Sequence, residues 1–242
     1  MSATVDDVAG EDVAGLLDLD PDKSTCVFAC GRKGTGKTHL ITTLFRAYPY
    51  DRLLVDVTGD VDRNFEFTEP IDAPLPSTWP TPESWGRPTG ERISLRHRPN
   101  YRDNARSKRT NLPQWLEHVD DLVGLAMDHG RTAVEIDDAG EVIRANRVGP
   151  AIGDMLHTLR HRALTLLMSC PRPVSIDPLA ISQADLVAIF DTPHELDVRR
   201  LKSALGVRVA VDELFALINA LDEHEFLLVK GKELFHCDAL PG

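Results

Sequence analysis

Gly31, Gly36, Lys37 and Thr38 stand at the spacing G-x-x-x-x-G-K-[ST], a set of residue types suited to gripping a chain of phosphates. Gly31, Gly34 and Gly36 open backbone conformations closed to residues with a Cβ, so that successive N–H groups can converge on phosphate oxygens. A helix opening at Lys37 adds unsatisfied N–H groups and a partial positive end. The Lys37 ammonium is placed to reach the β- and γ-phosphates, and the Thr38 hydroxyl suits a Mg²⁺ ion. The expected nucleotide-binding set is Gly31, Arg32, Lys33, Gly34, Thr35, Gly36, Lys37, Thr38 and His39, with ATP and Mg²⁺ as ligands.

A second chemical signal lies 100 residues beyond Lys37, where the apolar run from Thr132 ends in Asp137 and Asp138. Adjacent carboxylates at the end of a strand match the Walker B arrangement. Asp137 is expected to hold the Mg²⁺ through water, with Thr38, and Asp138 to orient or deprotonate the attacking water. Asp138 also suits a turn or helix cap. The gap between the two motifs leaves room for another strand between the motif strands, as in P-loop ATPases that activate water with a carboxylate beside Walker B.

These groups need a scaffold that presents loops at one edge of a sheet. Val27 and Phe28 continue a β-prone run that ends at Cys30, and Leu40, Ile41, Leu44 and Phe45 follow at helical spacing. The runs at 51–57, 132–137, 163–170 and 185–190 read as buried strands, and 112–129, 151–162, 193–205 and 211–221 as helices. Ile93 to Arg96 suggests a further strand. Alternation of this kind predicts an α/β fold with a mainly parallel central sheet flanked by helices, closed by a C-terminal hairpin over 226–236. Residues 1–23 read as an acidic helical segment and 24–242 as one domain. Prolines at 70, 74, 76, 80, 82 and 88 mark an irregular Pro/Arg-rich insertion at about 60–111.

The chain has 242 residues, 42% hydrophobic and 27% charged, and a net charge of −11. No apolar run approaches the ~20 residues that span a bilayer, and the acidic start lacks the pattern of a signal peptide, which implies a cytoplasmic location. The four cysteines form no C-x-x-C pair and read as buried thiols. Charge is unevenly spread: eight basic residues and two acidic ones lie between Arg87 and Arg109. The absence of an N-K-x-D motif argues against a GTPase, and the absence of L-S-G-G-Q against a transporter ATPase.

From Leu159 to Phe190, with Pro171, Arg172 and Pro173 after an apolar strand and Ser182 to Phe190 beyond them, the chain resembles the HerA/FtsK superfamily of DNA-pumping ATPases. Within that group it looks most like small viral genome-packaging ATPases. The resemblance covers about Thr25 to Gly206. It implies a RecA-like core of the additional-strand catalytic-carboxylate type, a ring of identical subunits, usually a hexamer, and double-stranded DNA as partner. It also implies an arginine donated to the neighbouring subunit's γ-phosphate, for which Arg160 and Arg162 are the candidates. A capsid or portal protein is an implied docking partner, in the host cytoplasm or with the virion.

The chain departs from that family twice. Pro171 stands where a γ-phosphate-sensing glutamine is common, with Ser169 or Cys170 as weak substitutes, and Asp138 stands where Glu is more usual. For DNA contact the expected residues are Arg96, Arg98, Arg102, Arg106, Lys108 and Arg109, with Arg144 and Arg147 as further channel residues. Two other readings remain: a P-loop ATPase that remodels or loads another protein, and a nucleotide-switched DNA-binding or partition module.

Overall fold

A computed structural model describes residues 5–8, 15, 17, 19–20, 22–58, 69–70, 78–81, 92–98, 105–145 and 147–240, with backbone alone for 5–7, 69–70, 105–111 and 160. Its strands are β1 (Val5–Val8), β2 (Thr25–Cys30), β3 (Asp51–Asp56), β4 (Glu69–Pro70), β5 (Ser94–His97), β6 (Thr132–Asp137), β7 (Thr165–Cys170), β8 (Leu186–Ile189), β9 (Phe226–Lys230) and β10 (Glu233–Cys237). The helices are α1 (Lys37–Ala47), α2 (Ala105–His129), α3 (Pro150–Thr158), α4 (Pro178–Ser182), α5 (Glu195–Leu205) and α6 (Val211–Asn219).

The strands form one sheet in the order β1-β10-β9-β8-β2-β7-β6-β3-β5-β4. Every neighbouring pair is parallel except those of β9, which runs antiparallel to both β8 and β10. The central strands are buried along their length because helices cover both faces, which is why they read as continuous apolar runs. On one face Leu40, Ile41, Leu44 and Phe45 of α1 pack against Val27, Ala29, Ala133 and Leu167. On the other, α2, α3, α5 and α6 cover Phe28, Val55, Val134, Ile136 and Met168.

This arrangement places β7 between the strand that feeds the glycine loop and the strand that carries the paired acids. The intervening strand therefore comes from beyond Asp137 in the chain. The residues between the motifs instead supply β3, β4 and β5, which extend the sheet outward.

Three elements depart from the sequence reading. Val5–Val8 forms a strand paired with β10 where a helix was expected, because the open edge of β10 offers it a complete hydrogen-bonding ladder. Most of the remainder of that expected helix lies outside the described residues. The insertion contributes β4 and β5, so it is part of the sheet where it is described. Helix α2 begins at Ala105 and runs through Pro113, starting seven residues before the expected Leu112.

Candidate active site

The glycine loop and the paired acids lie at the carboxyl ends of the parallel strands, where loops from an open α/β sheet meet. At the end of β2 the chain turns at Gly31, with φ of 143°, and enters α1 at Gly36, with φ of 104°. A Cβ at Gly31 would lie 2.7 Å from Phe190 Cβ, and one at Gly36 would lie 3.2 Å from Phe190 Cε1. Both positions thus need glycine for conformation and for space. The loop is tied to the end of β8: the Arg32 amide donates to the Asp191 carbonyl at 2.8 Å, and Arg32 Nε lies 2.7 Å from Asp191 Oδ2.

Thr35 Oγ1 and Lys37 Nζ both donate to the Arg32 carbonyl, at 2.9 and 2.7 Å. Lys37 is 7% exposed, and this bond holds its ammonium over the loop. Burial lowers the Lys37 pKa, and the neighbouring Cys30, Cys170, Asp137 and Asp138 oppose that shift. Thr38 follows on the first turn of α1 with its side chain exposed, as does His39.

Across the sheet, both Asp137 oxygens are engaged. Ser169 Oγ donates to Asp137 Oδ1 at 2.9 Å, and Thr58 Oγ1 donates to Oδ2 at 2.8 Å. These two hydrogen bonds fix the plane of the carboxylate. Asp138 takes a left-handed conformation, with φ of 48° and ψ of 52°, and its amide donates to Ser169 Oγ at 3.3 Å. Although it precedes a short 3-10 turn, its side chain makes no capping hydrogen bond there. One serine on β7 therefore touches both Asp137, the last residue of β6, and Asp138, which follows it.

The oxygen donors fit Mg²⁺, which prefers one or two carboxylates with its remaining positions filled by water and phosphate. Asp137 and the Thr38 hydroxyl would hold it.

The two arginines expected to act on a neighbour lie elsewhere. Arg162 precedes β7, at the opposite edge of the sheet from the loop, about 20 Å away for a six-residue strand. Its guanidinium lies 3.9 Å from Asp128 and from Asp154. It cannot serve the glycine loop of its own subunit. Arg160 has its backbone in the same 3-10 turn, and its side chain lies outside the described residues.

The expected DNA set divides. Arg96 is 8% exposed and ion-paired with Asp56, itself fully buried, because β5 is an interior strand. Arg96 is thus a core residue, a correction to its expected role on phosphate. Arg98 reaches the same Asp56 oxygen at 3.0 Å but keeps its side chain 43% exposed. Arg144 and Arg147 are exposed just beyond β6, where Arg144 Nε donates to the Gly140 carbonyl at 3.2 Å. Arg102 and the side chains of Arg106, Lys108 and Arg109 lie outside the described residues.

Sequence reasoning missed Thr58, Asp56 and the loop 221–225. Thr58 lies just beyond the run 51–57, and nothing local signals its bond to Asp137 across 79 residues. The loop 221–225 forms one wall of a cavity of about 380 Å³, with the glycine loop as the other. Beneath α1, Glu135 is 1% exposed, and its pKa is raised to about 8 by burial and then by Asp137 and Asp56.

No protein-family model and no curated protein sequence matches the chain. Solved structures do match. The genome packaging NTPase B204 of Sulfolobus turreted icosahedral virus 2, in complex with ATP-gammaS, aligns over 92% of this chain and 100% of its own, at 19% identity and a TM-score of 0.64. VirB4 of Thermoanaerobacter pseudethanolicus aligns over 100% of this chain and 99% of its own, at 12% identity and a TM-score of 0.62. The pCW3 conjugation coupling protein TcpA aligns over 92% of this chain and 62% of its own, at 11% identity and a TM-score of 0.53. The fold is the one these structures share, the mixed α/β fold of P-loop ATPases with a mainly parallel sheet flanked by helices. Among the described residues, no helix is long and apolar enough to cross a membrane.

Proposed function

We infer that the protein is a Mg²⁺-dependent ATPase that moves double-stranded DNA, working as a ring in packaging a viral or mobile-element genome. The observation that carries this reading is the convergence of Lys37, Asp137 and Asp138 at one sheet edge, with Ser169 joining the two acids. The backbone amides from Gly31 to Thr38 and the Lys37 ammonium bind the phosphates. Asp138 accepts the proton of the attacking water or orients that water, and its left-handed backbone sets the direction of its short side chain. Bound Mg²⁺ supplies charge neutralisation at the β- and γ-phosphoryl oxygens.

A ring supplies what one subunit lacks. The position of Arg162, at the far edge from its own loop, suits a cation that serves the next copy, and such a cation is worth roughly 10³–10⁵ in rate. Arg98, Arg144 and Arg147 stand exposed at the edge that carries the site and are the described candidates for DNA phosphate. The architecture shared with a viral genome packaging NTPase supports the same reading.

The experiment is ATP hydrolysis measured with and without duplex DNA, together with the mass in solution. A ring-sized particle whose turnover rises with DNA is expected. A monomer indifferent to DNA would leave the protein-remodelling or switch readings in its place.

A further inference from the structure

Beside the phosphate loop lies a second cavity, of about 340 Å³, lined by Gly36, His39, Leu40, Phe190, His224, Phe226 and Leu240. It adjoins the polar cavity around Arg32 to Thr35, and His224 belongs to the walls of both. The polar cavity lies along the glycine loop and this one is walled largely by carbon, the division found within a nucleotide.

Phe190 and Phe226 pack at 5.0 Å between ring centroids and are 2% and 0% exposed, so they back the cavity, and the aromatic rings open to a base are those of His39 and His224. His39, His224 and Leu240 form the rim. His224 sits in the left-handed region with φ of 68°, which brings its ring up to the loop, 3.6 Å from where a Cβ on Gly36 would stand. Among the lining side chains, only the two histidines carry hydrogen-bonding atoms. Among the described residues that line this cavity there is no Asn, Gln, Asp or Arg.

We propose that this cavity holds the purine of the nucleotide by stacking and apolar contact alone, and that the enzyme accepts ATP and GTP with little preference. The proposal rests on the phosphate loop binding a nucleoside triphosphate, and it names the substrate class of that site. Aromatic faces accept any base, whereas a site that hydrogen-bonds an edge rejects the wrong one by roughly 10⁴–10⁵-fold.

The test compares kcat/KM for ATP and GTP and the inhibition by inorganic tripolyphosphate, which carries the phosphates without a base. The wild-type protein should use ATP and GTP within about tenfold of one another. His224→Ala and Leu240→Asp should each raise KM for both nucleotides about tenfold and leave tripolyphosphate inhibition unchanged. Two variants at separate points of the rim guard against a folding defect in one.

A preference above tenfold for either purine overturns the proposal, as does a variant that leaves both nucleotides unaffected or weakens tripolyphosphate equally. If neither nucleotides nor tripolyphosphate bind, the phosphate-loop reading falls and the base site with it. Tripolyphosphate binding without any gain from the base overturns the base site alone.

Discussion

Ser169 Oγ donates to Asp137 Oδ1 at 2.9 Å while accepting the amide of Asp138 at 3.3 Å. A residue 3% exposed on the central strand β7 thus orients Asp137 and the backbone of Asp138 together, the two acids proposed to hold the metal and to activate water. The chain has proline at 171, where the family that the sequence resembles often places a sensing glutamine, and the polar link between these strands is made two residues earlier.

Ser169→Ala removes that link without adding bulk. We expect kcat to fall about 10²-fold, the scale of a ~1 Å misplacement, with KM for ATP changed less than threefold. Steady-state kinetics on the folded variant check this. An unchanged kcat would make Ser169 a packing residue only.

Asp56 binds two arginines, one of which, Arg96, is buried within the sheet. Asp56→Asn should cost about 3–5 kcal/mol, the penalty for breaking a buried pair and leaving one charge uncompensated. Urea denaturation provides the measurement. A loss below about 1 kcal/mol would show that Arg96 relaxes to solvent.

Glu135 keeps its proton in the folded chain up to about pH 8, whereas its unperturbed value is 4.5. Between those values the unfolded chain has lost the proton and the folded chain has not, so stability falls as pH rises. The slope is at most about 1.4 kcal/mol per pH unit. Glu135→Gln lacks the titration, so in magnesium-free buffer its advantage over wild type should grow from pH 5 to pH 8. Urea midpoints across that range test it, and a constant difference would contradict the buried neutral acid.

The phosphate loop was legible because its chemistry is contiguous: Gly31 to Thr38 sit within one turn of chain and act through their own backbone. The acids at 137 and 138 were legible for the same reason. What escaped was the set of partners brought from afar by the sheet. Arg96 and Asp56 are 40 residues apart, and a run of basic residues does not reveal which member has a buried carboxylate opposite it. The loop 221–225 carries no motif, and only the placement of β9 beside β8 brings His224 to Gly36. Val5–Val8 became a strand through tertiary pairing with β10, which outweighs the local apolar spacing that suggested a helix.

The central claim is that Lys37 grips a nucleoside triphosphate which Asp138 helps water to attack. Nucleotide binding and Mg²⁺-dependent phosphate release should be measured together for wild type, Lys37→Ala and Asp138→Asn. Lys37→Ala should lose both binding and turnover, while Asp138→Asn should still bind and lose roughly 10²–10⁴-fold in turnover. Undiminished affinity and turnover in Lys37→Ala would contradict it.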